Sequence, residues 1–244
     1  KNLIQQKRGI PLTAESSSII RALAIGVAGS GSTAVQVSAL GNAVANTVTA
    51  AIGGGSFVTA AGDVTLMASD VAPSLIPDWI IPANRAAELN SNLEGSPVDL
   101  SGNILSAMVS VAASSSVAVN AAVVGNVIVN TTDAYVSDSE VHSTGGAVDI
   151  DALSKAGIVA LTIGVAGSGS VAVNATGYGN VITNRVGAAI SAGSIVTAGG
   201  AVDLTARDQS TIRSLGISVA GSGAVSVGAL IAANVITNTV VAEI

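Results

Sequence analysis

The sequence predicts an all-β fold, a parallel β-solenoid (β-helix) built from 54-residue repeats with one irregular insertion. A motif of the form Gly/Ala-Asn-Val-Ile-x-Asn recurs, and its last asparagine advances by 54 residues from Asn130 to Asn184 to Asn238. Within a repeat the apolar residues alternate with period two, which is typical of strands. Aromatic residues make up 2% of the chain, and small and β-branched side chains dominate, so we expect closely spaced, stacked sheets.

The same motif divides the chain into segments. Its first, looser copy ends at Asn46, and the step from there to Asn130 is 84 residues, one repeat plus an insertion. We predict residues 1–17 as the end of a preceding repeat, 18–70 as repeat 1, 71–101 as the insertion, 102–154 as repeat 2, 155–208 as repeat 3 and 209–244 as a partial repeat 4. Because the chain opens and stops within a repeat, we expect it to come from a longer protein.

Repeat 3 shows the strand pattern most clearly. It contains five strand candidates, at residues 159–165, 171–173, 180–190, 195–197 and 201–206. In the first candidate, Val159, Leu161 and Ile163 share one face, and the residues between them are small. We expect this strand to be covered on both faces, by another layer or by a neighbouring molecule. Whether one repeat forms one wide coil or two coils of half that length stays open at this point.

The recurring asparagines predict a ladder inside the stack. If equivalent strands lie one above another at about 4.8 Å, each asparagine meets its own copy in the next layer. An unpaired buried amide costs about 1–3 kcal/mol, but in a ladder each NH2 group donates to the next side-chain carbonyl. Their alternation with Ile and Val favours this ladder over exposed strand ends. The predicted members are Asn42, Asn46, Asn126, Asn130, Asn180, Asn184, Asn234 and Asn238.

The insertion at 71–101 breaks the pattern. It holds four of the five prolines and the single tryptophan, and residues 82–89 are compatible with a short helix that has Pro82 in its first turn. Insertions in solenoids emerge as loops and often lie on a binding face. We interpret it either as a recognition element or as a cap that folds back on the stack. The candidate recognition residues are Trp79, Ile80, Ile81 and Arg85.

Composition excludes several kinds of function. The chain has no cysteine, so it has neither disulfides nor thiolate metal sites. Nine basic residues and a net charge of −6 argue against nucleic acid as a partner. The uncharged run 215–242 is long enough for a membrane helix, but its Gly, Ser, Asn and Thr residues, its period of two and its place in a repeat argue against that interpretation. We expect no cofactor.

Few residues suggest catalysis. His142 is the single histidine, with Val58 and Val196 as its apparent equivalents, and we expect it on a strand surface. Asp149 and Asp151 lie two residues apart, so their carboxylates point the same way from one strand. Acid–base work or weak calcium binding is conceivable there, but a solvated polar face is the favoured interpretation. We therefore expect that the chain is not an enzyme.

Two segments resemble a known group of proteins. Residues 194–206 (SIVTAGGAVDLTA) and 56–66 (SFVTAAGDVTL) are similar to the coils of large secreted bacterial filamentous adhesins, of the filamentous-haemagglutinin-like and leukotoxin types. The section 163–190 is similar to the longer repeats of the leukotoxin-type group. The resemblance covers nearly all of the chain apart from the insertion and residues 1–9. It implies a parallel β-solenoid in a secreted or surface-anchored protein, and it carries over no catalytic residue.

These observations lead to one functional expectation and one alternative. We expect a non-enzymatic structural or adhesive repeat segment, a rigid stalk or self-assembling filament, located extracellularly, at the cell surface or in association with the outer membrane. Its expected partners are copies of itself, end to end or side by side, and a host or neighbouring-cell surface or polysaccharide. The alternative is a carbohydrate-active β-helix enzyme or a polysaccharide-binding module, which requires a cleft with clustered acids or bases.

Overall fold

The protein is a stack of wide, parallel β-coils. The computed structural model describes residues 3–6, 8–77, 80–93, 101–191 and 193–244. Within this part every pairing between named strands is parallel, which confirms the predicted all-β parallel solenoid. Each 54-residue repeat forms one coil with four strands.

The strands follow the chain in coil order. The preceding coil contributes β1 (Leu3–Gln6) and β2 (Ile10–Ser16). Coil 1 consists of β3 (Ile20–Ser30), β4 (Thr33–Ile52), β5 (Phe57–Ala60) and β6 (Val64–Val71). Coil 2 consists of β7 (Ile104–Ser114), β8 (Val117–Ser137), β9 (Glu140–Ser143) and β10 (Val148–Lys155). Coil 3 consists of β11 (Gly157–Ser168), β12 (Val171–Ser191), β13 (Ile195–Ala198) and β14 (Val202–Asp208). Coil 4 contains β15 (Thr211–Ser222), β16 (Val225–Ile236) and β17 (Thr239–Glu243).

Equivalent strands of successive coils form four continuous sheets. Sheet A is β1-β5-β9-β13, sheet B is β2-β6-β10-β14, sheet C is β3-β7-β11-β15, and sheet D is β4-β8-β12-β16 with β17 also paired to β12. In sheets B, C and D the register aligns the repeat, so that Asn180 lies between Asn126 and Asn234. The same residue type therefore meets itself from coil to coil.

Each complete coil contains four long or short strands rather than the five strand candidates of the prediction. The candidates at 171–173 and 180–190 belong to one strand, β12, because the residues between them continue the same parallel ladder. With 21 residues at about 3.3 Å each, this strand spans roughly 70 Å. Each coil adds about 4.8 Å along the stack, so the cross-section of the solenoid is broad relative to the rise of one repeat.

A conventional apolar core fills one end of the coil. Here sheets A and B and the second half of sheet D enclose a triangular space, the triangular end. Its buried side chains are aliphatic, and Leu66, Val141 and Ile150 are fully buried. These side chains come from strands with period-two burial, so each strand contributes every second residue to the core.

The other end of the coil is a thin two-layer arm. We define the arm as the sheet C strand of each coil together with the first half of the facing sheet D strand, up to Asn46, Asn130 and Asn184. The two layers are joined across the interior by side-chain bonds, such as Ser110 Oγ donating to Asn120 Oδ1 at 2.6 Å. Small alanines from both sheets meet near the tip. The interior of the arm is therefore narrow and partly polar.

The arm carries large apolar side chains on its outer surface as well as inside. In β11 Ile158 is buried at the start of the strand, the next inward positions are the small or polar Ala160, Thr162 and Gly164, and Leu161 and Ile163 lie on the outer surface. Sheet D covers the face of sheet C that carries these small residues. Among the described residues no second layer covers the large aliphatic face, and in coil 1 Leu23 is 68% exposed.

The insertion leaves the stack between β6 and β7 and is anchored beside sheet C. Leu75 is buried, and Arg21 donates from Nε to the Leu75 carbonyl and from Nη2 to the Ser74 carbonyl, both at 2.9 Å. Ser74 forms an antiparallel bridge with Ser101, which closes the base of the insertion. The helix α1 spans Ala83–Leu93 and follows Pro82, so it is longer than the predicted one.

We predict that Gly164 sets the width of the arm. A Cβ at Gly164 would meet Thr176 Oγ1 and would lie 2.8 Å from Asn174 Oδ1, so Gly164→Ala forces the two layers apart. The expected loss in the free energy of unfolding is about 1–3 kcal/mol, measured by urea denaturation.

The matched control is Gly167→Ala on the same strand, where an added Cβ meets no atom within 4 Å. It should leave stability unchanged or slightly raised, because alanine restricts the unfolded chain. Equal effects of the two substitutions would contradict the proposed close packing at Gly164.

Candidate functional site

The most regular polar feature is a side-chain amide ladder inside the arm. Asn42 Nδ2 donates to Asn126 Oδ1 at 2.9 Å, Asn126 Nδ2 to Asn180 Oδ1 at 2.7 Å, and Asn180 Nδ2 to Asn234 Oδ1 at 2.8 Å. Asn126 and Asn180 are fully buried, which argues against a position at exposed strand ends. A second donor hydrogen on Asn126 reaches Ser106 Oγ of sheet C at 2.9 Å, so the ladder also joins the two layers.

The second asparagine column is bonded differently. The Oδ1 atoms of Asn130, Asn184 and Asn238 each accept from the backbone N–H of the preceding member, at 3.1, 3.3 and 3.0 Å. Their side-chain NH2 groups are therefore available for other partners. The prediction that both columns form the same amide-to-amide ladder is wrong for the second column. It lies opposite the junction of sheets B and C, where one buried and one half-buried carboxylate accept hydrogen bonds from the NH2 groups of Asn46 and Asn184.

Those carboxylates are Asp70 and Asp208. Asn46 Nδ2 lies 3.4 Å from both oxygens of Asp70, and Asn184 Nδ2 donates to Asp208 Oδ2 at 3.0 Å. Burial raises the pKa of Asp70 above its ordinary 3.8, and hydrogen bonds from Asn46, Ser16 and Asn130 partly offset this effect. A nearly fully buried carboxylate thus depends on neutral donors for its stabilisation.

Sequence analysis missed a third polar column nearer the tip. Asn120 Nδ2 donates to Asn174 Oδ1 at 2.6 Å, and Asn174 Nδ2 donates to the Gly164 carbonyl and to Ser218 Oγ at 2.9 and 2.7 Å. Gln36 holds the equivalent position in coil 1. The signal was present, since Asn120 and Asn174 are 54 residues apart, but glutamine and Gly228 in the other coils obscure it.

The predicted recognition residues have different positions. Trp79 lies outside the described residues. Ile80 is 55% exposed, Ile81 is half-buried, and Arg85 forms an exposed ion pair with Glu88 at 2.9 Å. Helix α1 thus presents a charged surface beside the anchored base of the insertion.

His142 lies on the outer surface of sheet A, in a register that differs from the predicted one. It pairs with Thr59 and Thr197, and its apparent equivalents Val58 and Val196 pair with Val141. The turn between sheets D and A is one residue shorter in coil 2, where Asp138 adopts a positive φ of 45°, and the next turn is one residue longer. The His142 ring contacts Phe57, and its Nδ1 lies 2.6 Å from Thr197 Oγ1.

Asp149 and Asp151 share the outer face of sheet B. Asp149 pairs in register with Asp203 of the next coil, so two carboxylates lie in one column. Burial, and then repulsion from Asp151, Asp203 and Asp63, raises the pKa of Asp149. The pair forms an open acidic surface without a cleft around it.

A shallow groove runs along the outer face of sheet D at the triangular end. Tyr135 and Asp133 line it together with Arg185, and the Arg185 Nε lies 3.8 Å from Asp133 Oδ1. Gly187 also lines the groove, and a Cβ at this position would lie 2.5 Å from Asp133 Oδ1. The groove contains one ion pair and one aromatic ring, and it is open to solvent.

Two further features are absent from the described residues. Among the described residues, no group of three or more His, Cys, Asp or Glu side chains is arranged to hold a metal ion. In that same part of the chain, no helix has the length and hydropathy needed to cross a membrane.

Comparisons with known proteins give no relative. No model of a protein family matches the chain, and neither does any curated protein or solved structure.

We predict that an asparagine inside the amide ladder contributes more to stability than one at its exposed end. Asn180→Ala removes the link between Asn126 and Asn234 inside the arm, and it should lower the free energy of unfolding by about 1–3 kcal/mol. Asn234→Ala makes the same chemical change at the exposed end of the ladder and should cost less than about 0.5 kcal/mol. Urea denaturation monitored by circular dichroism compares the two. Equal losses would show that ladder depth is irrelevant.

We also predict a pH effect at Asp70. Because its pKa is raised in the folded state, the folded protein binds more protons than the unfolded chain between the ordinary 3.8 and the raised value. The contribution of this group to stability therefore falls as the pH rises through that interval. Asp70→Asn should raise the thermal midpoint at neutral pH and have little effect below pH 3.8.

A charge-matched control is Glu88→Gln on the exposed helix α1. It removes the same charge without a buried carboxylate, so it should not reproduce the gain at neutral pH. A loss of stability in Asp70→Asn at neutral pH would contradict the proposed cost of burying this charge.

Proposed function

We propose that this chain is a non-enzymatic structural and adhesive repeat segment of an extracellular or surface-bound bacterial protein, in which it forms a rigid stalk or filament. The observation that carries this proposal is the in-register stacking of wide coils through four continuous parallel sheets. Each coil hydrogen-bonds to the next along almost its whole length. Stiffness and resistance to proteolysis follow, because few backbone groups lie outside the ladders.

The width of the coil supports a role in stiffening the stalk rather than in extending its length. A repeat of 54 residues adds only about 4.8 Å of axial length, whereas an α-helix of that size extends about 80 Å. The residues of a repeat instead form a cross-section roughly 70 Å wide. Such a wide section resists bending in its long direction and presents a large lateral surface with every coil.

Surface features supply candidate contacts for adhesion. The insertion projects from the side of the stack with Ile80 exposed and with the Arg85–Glu88 pair on its helix. A host or neighbouring-cell surface, or a polysaccharide, is the partner class proposed for these outer surfaces. The acidic residues Asp149 and Asp151 lie on an open sheet face, which supports a structural role over catalysis.

Electron microscopy of lengthened chains tests the structural role. We expect that ten extra copies of residues 155–208, inserted in tandem after coil 3, lengthen the particle by about 48 Å in one dimension and leave its width unchanged. The same extended chain with residues 71–101 deleted should show the same increase in length. Particles that grow in two dimensions, or bead-like separate units, would contradict a continuous stalk. Polysaccharide turnover lost on Asp149→Asn would favour the enzyme instead.

A further inference from the structure

Both outer faces of the arm carry several adjacent columns of uncharged, mostly aliphatic residues. On sheet C, three adjacent columns contain eleven Leu, Ile or Val residues and one alanine. We call these twelve residues the C face: Leu23, Ile25, Val27, Ala107, Val109, Val111, Leu161, Ile163, Val165, Leu215, Ile217 and Val219. Leu23, Ile25 and Val27 are 67–71% exposed. Helix α1 does not cover these three side chains.

The opposite surface of the arm is apolar as well. The outward residues of β4, β8, β12 and β16 in this region are mainly valine, alanine and glycine, and we call them the D face. Its members include Val35, Val37, Val123, Val127, Val181, Val227, Ile231 and Val235. Ile231 is 75% exposed and Val123 is 56% exposed. The polar side chains of the arm are in its interior, where the asparagine ladders lie.

The two faces differ in relief. On the D face, Gly41, Gly125 and Gly179 form a column with Ala233 between the columns of Val123 and Val127. An added Cβ at each of these three glycines would meet no atom within 4 Å, so packing within the chain does not require glycine there. The column forms a shallow groove, whereas the C face presents rows of larger Leu, Ile and Val side chains.

The area of the faces is enough for weak, concentration-dependent association. One outward residue covers about 33 Å² of sheet, given strand spacings of about 4.8 Å and alternate residues about 6.8 Å apart. The C face with the adjoining Gly29 column covers roughly 530 Å² in four coils, and the other flanking column contains Arg21 and Arg213. Stable interfaces bury about 800 Å² per partner, and every additional coil would enlarge both faces.

We propose that the arms of two copies of this chain stack face to face, with the C face of one copy on the D face of the next. This contact inserts the aliphatic rows of one arm into the glycine groove of its neighbour. It is heterologous, so each bound copy exposes a new face and the assembly continues sideways. The inference extends the proposed structural role. It concerns association between chains rather than the axial stacking of coils within one chain.

Three lysine substitutions at matched exposed positions test the contact. Leu215→Lys alters the C face (57% exposed), Val123→Lys alters the D face (56% exposed), and Ile195→Lys lies outside the arm on sheet A (53% exposed). Circular dichroism confirms that each variant is folded. Sedimentation velocity over a hundredfold range of protein concentration then gives the size distribution.

We expect the unmodified chain and Ile195→Lys to form concentration-dependent oligomers. Either face variant alone should be monomeric or weaken association by more than about tenfold, because a charge within an apolar contact is costly. An equal mixture of Leu215→Lys and Val123→Lys should form closed heterodimers, since one retains a D face and the other a C face. This recovery distinguishes specific stacking from general loss of solubility.

Three outcomes would overturn the proposal. The unmodified chain would be monomeric at every concentration, or only one of the two face variants would lose association while the other associated normally, as a contact between two copies of the same face requires, or the mixture would stay monomeric. A monomeric chain that floats with phosphatidylcholine vesicles, and loses this property in Leu215→Lys, would identify a lipid surface as the occupant of the C face instead.

Discussion

The structure depends on one constraint, the hydrogen-bonded register between successive parallel coils. Because each coil lies about 4.8 Å from the next, a side chain in sheets B, C and D has its own repeat equivalent as its nearest lateral neighbour. This favours residues that pair well with themselves, such as Val, Ile and Asn. It penalises self-repelling residues, and at Asp149 repulsion from Asp203 adds to burial and to repulsion from Asp151 in raising the pKa. A single substitution in a repeat therefore acts on the coils above and below as well.

The arm shows how this constraint combines with a narrow space. Polar residues of sheet D fit inside because glycine or serine stands opposite them on sheet C, as Gly164 does beside Asn174. The asparagines satisfy each other along the stack, so their burial does not require water or charge. The asparagine columns lie between two buried apolar clusters, one around Met108 and Val124 and one around Ile158 and Ile182, and further large aliphatic residues lie on the outer faces. The arm therefore buries its polar columns and leaves aliphatic residues on its exterior.

This arrangement links the fold to the proposed role. The outward aliphatic residues of the arm take no part in its buried clusters, so they are available for contacts between molecules. The triangular end retains a conventional core around Leu66 and Ile150 and carries most of the outward charge of the coil. Axial growth would come from repeats within the chain, and lateral growth from the arm faces. The insertion, anchored through Arg21 at the border of the C face, marks coil 1 within such an assembly.

The sequence by itself determined the repeat, the period-two strands and the parallel stack, because these follow from spacing and hydropathy. It also determined which asparagines share a column, although Gln36 and Gly228 concealed the column of Asn174. Only the tertiary structure decided that one repeat is one coil, because nothing in the sequence marks whether the chain turns between Val173 and Asn180. It also decided which face of β11 is inside. Both faces contain apolar residues, and the close approach of the two sheets at Gly164, rather than hydropathy, decides that Leu161 and Ile163 lie outside. The bonds of Asn184 to Asp208 likewise depend on the distance between sheets D and B, which no local pattern encodes.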